Sequence, residues 1–324
     1  MPAKPSWLKL VMKVLPLSVL LLLSGCSERF VLLNPKGPVA AVQKDLILWS
    51  VGFMLLIIVV IFSLFAIILW KYRERPDNMD YEPPEQHGNT VLEIVWTAIP
   101  VLIVIALAIP TIKATFELEK PPKESRGVEP IVIHATAADW KWIFSYPEEN
   151  IETVNYVNIP KDVPVEFKLT AVGGMSALWI PELGGQKYNM AGMGMTLYLE
   201  ADHVGTFKGR NSNFTGEGFA HQTFDVNAME KEDFYKWVKE TQASAPLLTK
   251  KQFNEIIQVG VLKDQLTFSG THLAWVDFAK QGEHLENMPA KEKHGTIKLE
   301  EVEQKDDSDH QDNREQENHQ HHGH

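Results

Sequence analysis

Few side chains in this chain could do chemistry, and the first is its single cysteine, Cys26. One thiol excludes an intrachain disulfide and any site built from two thiolates of the same chain, such as most structural zinc sites and thiolate-bridged copper pairs. Cys26 ends a stretch with three lysines, a short apolar run and then Leu-Ser-Gly-Cys. Residues 1–25 are therefore predicted to be an export signal, because a short apolar core that ends in small residues is typical of one.

The Leu-Ser-Gly-Cys ending resembles the cleavage box of bacterial lipoproteins. The resemblance implies that the Cys26 thiol takes a diacylglyceryl group and becomes the first residue of the mature chain. Paired acyl chains anchor a protein stably in a membrane, whereas a single chain is marginal. The alternative is an incidental cysteine that follows an uncleaved anchor helix.

Glu93 is the second candidate, because it stands directly before a long apolar segment. Ile94 to Ile112 is 19 residues without a charge, and Leu46 to Trp70 is 25. About 20 apolar residues cross a bilayer, so transmembrane helices are predicted over 46–70 and 91–112. A carboxylate at membrane depth is costly and is a functional candidate by default. The alternative for Glu93 is a solvated or salt-bridged side chain at the interface.

The basic residues of the leader predict the orientation of these two spans. If the leader stays inside the cell, segment 26–45 lies outside, the loop 71–90 is cytoplasmic, and everything from about residue 113 is outside again. Lys71 and Arg73 follow the first span, as the positive-inside rule expects.

The part after the linker 113–130 predicts a β-sandwich over 131–228. Short β-like runs alternate there with glycine-containing turns, at a spacing typical of sandwiches. These runs cover 131–136, 140–146, 154–159, 165–170, 196–200 and 206–209.

The remainder of the chain has a different pattern. Residues 229–299 predict a helical C-terminal extension, with Thr249 as a helix cap. Residues 300–324 hold nine acidic and two basic residues, and four histidines stand close together at the end of this range (His319, His321, His322, His324). We expect this tail to be disordered, with loose metal binding as the alternative. The net charge of −11 argues against a nucleic-acid partner.

Three motifs in this framework resemble subunit II of the haem–copper oxidases. They are His87-Gly-Asn-Thr-Val-Leu-Glu93-Ile-Val-Trp96-Thr97-Ala-Ile-Pro100, Asp139-Trp140-Lys141-Trp142, and Leu178-Trp-Ile-Pro-Glu-Leu-Gly-Gly185. The resemblance covers about residues 30–280. It implies a fold class of membrane α plus all-β: a two-helix transmembrane hairpin, then a cupredoxin-like β-sandwich, then a short helical C-terminal extension.

In the copper-bearing branch of that family, the outer domain holds two copper ions through two bridging cysteines, two histidines, a methionine and a glutamate carbonyl. The family pattern places those ligands at six positions of this chain, which are Ser176, Asn211, Asn213, Thr215, Phe219 and Gln222. The soft sulfur ligands that suit such copper are absent. The resemblance therefore implies a degenerate site without metal. His221 is two residues out of register and is predicted to be an ordinary hydrogen-bonded or surface histidine.

Two features resemble the quinol-oxidising branch of the family: the segment 186–193, and the aromatic-containing extension with Trp237 and Trp275. The resemblance implies subunit II of a respiratory quinol oxidase, which converts quinol and oxygen to quinone and water with proton translocation. The chain itself would bind no cofactor. Haems and copper are expected in subunit I, the substrate is a membrane quinol, and no soluble cytochrome c is expected. The predicted partners are subunit I, further small membrane subunits and membrane lipid of a bacterial cell membrane.

The resemblance also gives roles to single residues. In related oxidases the glutamate that matches Glu93 lies near the entrance of a proton-uptake path into subunit I. Trp140 matches an aromatic at the electron-accepting site of copper-bearing relatives, but without copper a packing role is favoured. Packing is also favoured for the methionines near residue 193, over copper(I) binding. Two other functions remain open: a non-catalytic lipoprotein scaffold or assembly factor, and a copper-bearing cytochrome c oxidase subunit.

Overall fold

The computed structural model describes residues 30–73 and 88–279. The predicted export signal, the lipidation site Cys26 and the tail 300–324 lie outside the described residues. The chain divides into two compact units, Met1–Lys120 and Pro121–His324, and each is described by itself.

The first unit contains two long helices, α1 (Pro38–Lys71) and α2 (Thr90–Leu118). Proline stands at the start of α1, where its missing N–H costs nothing. Both helices extend beyond the predicted spans, so α1 begins inside the predicted outer segment 26–45 and α2 ends inside the predicted linker 113–130. The physical reason is that a charge-free run marks only the part of a helix that lies in hydrocarbon, while polar flanking residues continue the helix.

The two helices present apolar side chains on all faces. From Met54 to Lys71 every side chain of α1 is exposed in this chain, and so is almost every side chain of the first half of α2. A long helix that is apolar all round belongs in a membrane or in a larger assembly. Among the described residues, a hydrogen bond joins the two helices from Trp49 Nε1 to the carbonyl oxygen of Ala106 at 3.3 Å.

The second unit is a two-sheet β-sandwich. Its strands are β1 (Ile131–Ala138), β2 (Lys141–Tyr146), β3 (Ile151–Val154), β4 (Tyr156–Pro160), β5 (Val165–Val172), β6 (Ser176–Ile180), β7 (Gly184–Asn189), β8 (Met195–Leu199), β9 (Gly205–Asn211), β10 (Thr223–Met229) and β11 (Leu266–Ser269). One sheet has the order β11-β3-β2-β1-β5-β8, and the other has β4-β10-β9-β6-β7. The pairs β1–β5 and β10–β4 are parallel, and the other pairs are antiparallel.

Large aromatic side chains fill the space between the two sheets. Trp142 and Phe144, from one sheet, pack against Phe224 of the other with ring centroids 5.3 and 4.9 Å apart. Trp142 and Phe144 are fully buried and Phe224 is nearly so, which makes this cluster a main source of stability through apolar burial. The predicted fold class, two apolar helices followed by a β-sandwich and a helical C-terminal region, is confirmed.

The C-terminal region corrects one detail of that prediction. It contains α3 (Lys231–Ser244) and α4 (Lys250–Ile256), and Thr249 caps α4 through a capping box with Gln252. It also contains β11, which pairs antiparallel with β3 and so belongs to the sandwich. The helical extension predicted over 229–299 thus contains a strand as well, which the sequence did not predict, because these four residues have no periodic signal of their own and form a strand only against the open edge of β3.

Buried polar groups fasten this C-terminal region to the sandwich. The ammonium group of Lys141, a residue only 4% exposed, donates to the carbonyl oxygens of Gln258 at 2.6 Å and Gly260 at 2.7 Å. Asn155 Nδ2 donates to the carbonyl oxygen of Leu262 at 2.6 Å. Each bond satisfies loop carbonyls that no strand or helix pairs, so the loop is held in one position.

A second set of hydrogen bonds joins the C-terminal region to the sandwich at Glu152, whose Oε2 accepts three of them. The donors are Ser145 Oγ at 2.8 Å, the backbone N–H of His272 at 3.0 Å, and Nδ1 of the same histidine at 2.7 Å. Phe253 stacks on the imidazole with ring centroids 4.5 Å apart. The region after α3 is therefore a structural part of the second unit.

Candidate functional site

Four of the six positions predicted to have lost copper ligands meet at one end of the sandwich. Asn211 ends β9, Ser176 begins β6, and Gln222 directly precedes β10. Antiparallel pairing of β6 with β9 sets Asn211 opposite Leu178, two residues along the strand from Ser176. Thr215 comes from the loop between β9 and β10. Residues distant in sequence are thus brought together by the strand order of one sheet.

These four side chains form a closed hydrogen-bond network. Asn211 Nδ2 donates to Gln222 Oε1 at 2.8 Å, to Thr215 Oγ1 at 3.3 Å and to Ser176 Oγ at 3.5 Å. Thr215 Oγ1 donates to Gln222 Oε1 at 3.2 Å, and Gln222 Nε2 donates to Ser176 Oγ at 3.4 Å. We call these four residues the amide–hydroxyl cluster.

Asn211 lies at the centre of the amide–hydroxyl cluster and is 2% exposed. Its Oδ1 accepts from the backbone N–H groups of Ala177 at 2.8 Å and Asn213 at 2.9 Å. A buried amide costs stability unless its donors and acceptor are all used. Here they are, so the asparagine serves as a structural cross-link between β6 and the loop after β9.

The other two predicted positions lie outside this cluster. Asn213 Nδ2 donates to the carbonyl oxygen of Met175 at 2.7 Å. Phe219 packs its ring against Phe214, with centroids 5.5 Å apart. His221 is half-buried and borders a pocket with Lys208 and Asp225. None of the three contributes a side-chain donor to the cluster.

The chemistry of the amide–hydroxyl cluster does not fit a copper pair. Its atoms are amide and hydroxyl groups, whereas such copper requires thiolate, imidazole and thioether ligands. Within residues 30–73 and 88–279, no three His, Cys, Asp or Glu side chains come together as a possible metal site.

Beside the cluster, a pocket of about 250 Å³ opens to solvent between Trp140, Met175 and Phe214. The indole Nε1 of Trp140 donates to the carbonyl oxygen of Thr215 at 2.9 Å. Its ring lies flat on Gly218, where a Cβ atom would come within 2.2 Å of the ring. Trp140 is thus packed against the loop that carries the cluster.

Glu93 occupies the first turn of α2, in the other unit. Its backbone N–H donates to the carbonyl oxygen of Asn89, the residue that caps this helix by accepting from two backbone N–H groups. The carboxylate lies over Gly88, where a Cβ atom would stand 3.1 Å from Oε1. Its side chain is exposed in this chain, so a partner or solvent can reach the carboxylate.

Shifted pKa values occur in the outer unit, away from the cluster. Burial raises the pKa of Glu200, and its hydrogen bond from Ser125 Oγ at 2.6 Å opposes that rise. The neighbouring acids Asp162, Glu124 and Asp202 add to the rise. Burial likewise raises the pKa of the Tyr146 phenol well above its usual range, and the phenol donates to the carbonyl oxygen of Asn158 at 2.9 Å.

Comparison with known proteins places these features in a family context. Residues 37–114 match the family described as cytochrome c oxidase subunit II, transmembrane domain. Quinol oxidase subunit 2 of Bacillus cereus is 58% identical over 277 residues, which cover 86% of this chain and 94% of that protein. Quinol oxidase subunit 2 of Bacillus subtilis is 57% identical over 270 residues, which cover 83% of each chain.

Among solved structures, the periplasmic domain of subunit II of cytochrome oxidase from Bradyrhizobium japonicum aligns with 34% of this chain and 91% of its own. The two are 21% identical, with a TM-score of 0.33.

Proposed function

The chain belongs to the quinol oxidase subunit 2 family, and on that premise we propose that it serves proton uptake and assembly of the oxidase but carries no electrons itself. It is a membrane-embedded subunit of an oxidoreductase complex, a terminal oxidase, in which it associates with subunit I. The geometry of the amide–hydroxyl cluster supports the absence of electron transfer through this chain, and the position of Glu93 supports the role in proton uptake.

The observation that carries the proposal is the closed network around Asn211. Four positions that the family pattern assigns to copper ligands bond to one another instead, through distances between 2.8 and 3.5 Å. A metal would have to break this network and would find no thiolate there. The β-sandwich therefore retains the fold of a copper-binding domain but has a structural role only.

Electrons then have to reach the oxygen-reducing centre by another route. A quinol is soluble in the membrane and can meet subunit I directly, which removes the need for a metal relay in this chain. The haems and the copper belong to subunit I in this proposal, and a soluble cytochrome c has no role. The further small subunits that complete the complex contact the apolar faces of α1 and α2.

Glu93 is proposed to stand at the proton-uptake entrance of subunit I. One prediction and two observations support this role. It lies at the predicted cytoplasmic end of α2, it is exposed in this chain, and it adjoins a glycine that leaves the carboxylate open. A carboxylate at the edge of a membrane is retained at a cost, which favours a functional role.

The proposed location is a bacterial cell membrane, with the β-sandwich and the C-terminus on the outer face. Cys26 would carry the lipid anchor at the N-terminus of the mature chain. The two helices give the chain its multi-pass topology, so the lipid would add to an attachment that already exists.

The test is a purification of the membrane complex through a tag on this chain. The preparation should contain haem, oxidise a quinol with consumption of oxygen, and fail to oxidise reduced cytochrome c. A complex that oxidises cytochrome c and shows a near-infrared copper band from this subunit would overturn the proposal. Isolation of the chain alone, without haem, would favour a scaffold or assembly factor.

A further inference from the structure

Leaving aside Thr90 at the first position of α2, the hydroxyl groups in the two helices follow a pattern with one exception. Four of them donate to the carbonyl oxygen four residues earlier in the same helix: Ser50, Ser63, Thr111 and Thr115, at 2.6 to 2.9 Å. Thr97 lies in the interior of α2 and, among the residues that the structure describes, its hydroxyl has no hydrogen-bond partner. This hydroxyl is therefore available to a group outside the chain.

The two prolines of α2 differ in whether the carbonyl that each leaves without a helical donor is bonded by another group. Proline has no N–H, so Pro110 leaves the carbonyl of Ala106 without its helical donor, and Pro100 does the same to the carbonyl of Trp96. The indole of Trp49 donates to Ala106 and compensates for the first loss. Pro100 lies in the first half of α2, where almost every side chain is exposed in this chain, and ten residues before Pro110.

The spacing of these groups puts them on one face of α2. Positions 93, 97 and 100 are separated by four and three residues, and such residues are neighbours on a helix surface. Glu93, Thr97 and Pro100 are all exposed in this chain. The face therefore shows a carboxylate, then a free hydroxyl, with a proline-released carbonyl beside it. In hydrocarbon each unsatisfied polar group costs several kcal/mol, so lipid is a poor neighbour for this face.

We propose that Thr97 is a positioning residue for proton uptake, whose hydroxyl, with the Trp96 carbonyl, holds water between Glu93 and subunit I. This inference rests on the proposed role of Glu93 and extends it one turn deeper into the membrane. A threonine hydroxyl donates one hydrogen bond and accepts others, so it orders water without changing charge. A proton received by that water from the Glu93 side leaves toward subunit I, and the residue itself ends unchanged.

The test uses the assembled, membrane-extracted oxidase. Thr97→Val keeps the shape of the side chain and removes the hydroxyl, while Thr97→Ser restores a hydroxyl. Thr111→Val is the matched control, because it removes a hydroxyl of the same helix that is already bonded within the helix. Quinol oxidation is measured across pH and in H₂O against D₂O, since a structural change alone would not alter the pH profile or the solvent isotope effect.

We expect Thr97→Val to lower turnover by roughly fivefold, the rate equivalent of about one hydrogen bond. It should also increase the solvent isotope effect, and Thr97→Ser should recover most of the rate. Normal turnover and isotope effect in Thr97→Val, with a slow Glu93→Gln, would overturn this inference and leave the role of Glu93 standing. Normal turnover in both would overturn both proposals. Equal slowing in Thr97→Val and Thr111→Val would also overturn the inference, since it would indicate a general helix defect.

Discussion

The indole nitrogen of Trp49 and the carbonyl oxygen of Ala106 are 3.3 Å apart, and this contact joins α1 to α2 at the point where Pro110 interrupts the helical hydrogen bonds. Trp49 of one helix therefore supplies the hydrogen bond that Pro110 of the other cannot donate. A buried or membrane-embedded carbonyl has to find a donor, and here the donor comes from the neighbouring helix.

Replacing Trp49 with Phe should loosen the hairpin by about 1 kcal/mol, the usual net value of one hydrogen bond. Phenylalanine keeps most of the ring but has no N–H. The thermal transition of the purified complex should fall, whereas Trp70→Phe, at an exposed position at the end of α1, should leave it unchanged. Equal transitions for both variants would show that the Ala106 carbonyl is satisfied in another way.

Glu93→Gln should slow quinol oxidation by the intact oxidase, because the amide cannot take up and release a proton. We expect a loss of about tenfold, less than the ~100-fold of a group that reacts directly, since water still reaches the entrance. Proton uptake measured with a pH indicator should slow in parallel. Glu117→Gln, near the other end of α2, serves as the control, and a normal Glu93→Gln enzyme would exclude the proposed entrance.

Asn211→Ala should destabilise the second unit by roughly 2–3 kcal/mol, because it leaves two backbone N–H groups without partners and removes one of the donors to Gln222 Oε1. Asn213→Ala removes a single bond close to the surface and should cost under about 1 kcal/mol. Chemical denaturation of the full chain in detergent, followed by tryptophan fluorescence, compares the two. Similar costs would mean that the amide–hydroxyl cluster is not a structural centre.

Lys141→Met should free the loop over residues 258–264 without unfolding the sandwich. Methionine fills the apolar path of the lysine stem but cannot pair with the carbonyl groups of Gln258 and Gly260. Limited proteolysis should cut this loop faster than in the parent chain. Lys208→Met removes an exposed charge paired with Asp225, and its cleavage pattern should match that of the parent chain.

Glu200 should make the outer unit less stable as the pH rises. Because burial raises its pKa in the folded state, the folded chain holds this proton more tightly than the unfolded chain does. Stability is then lost as the pH rises from the usual glutamate value of 4.5 through the raised value, and regained on acidification. Glu200→Gln should raise the thermal transition above that window, by an amount that shrinks at lower pH. Glu129→Gln, at an exposed position, is the matched control.

The broad architecture could be predicted from the sequence because its signals are local. Long charge-free runs identify α1 and α2, and alternating apolar residues identify several strands. Strand β11 could not be found in this way, since its four residues form a strand only when the edge of β3 is present. The bounds of the helices also differed, because helices continue past the apolar run.

The residues of the candidate site could be predicted from the sequence, but the hydrogen bonds between them could not. Family spacing pointed to Asn211, Thr215 and Gln222, and these side chains do meet. Nothing in their spacing shows that they bond to one another, since that depends on how β6 and β9 pair. The bond between Trp49 and Ala106 is a similar case, because Pro110 predicts a free carbonyl but not the donor that reaches it.

The pairing of β11 with β3 has a consequence for how the chain matures. The two strands are more than one hundred residues apart in sequence, and β11 forms the outer edge of its sheet. Contacts between such distant segments slow folding, and an unpaired strand edge invites association with other chains. While the chain is being made, the edge of β3 that pairs with β11 stays unpaired until residue 269 has left the ribosome. Pairing of β11 with β3 is therefore a late step in folding. A chain truncated before β11 would expose β3 as an unpaired edge strand that can associate with other chains.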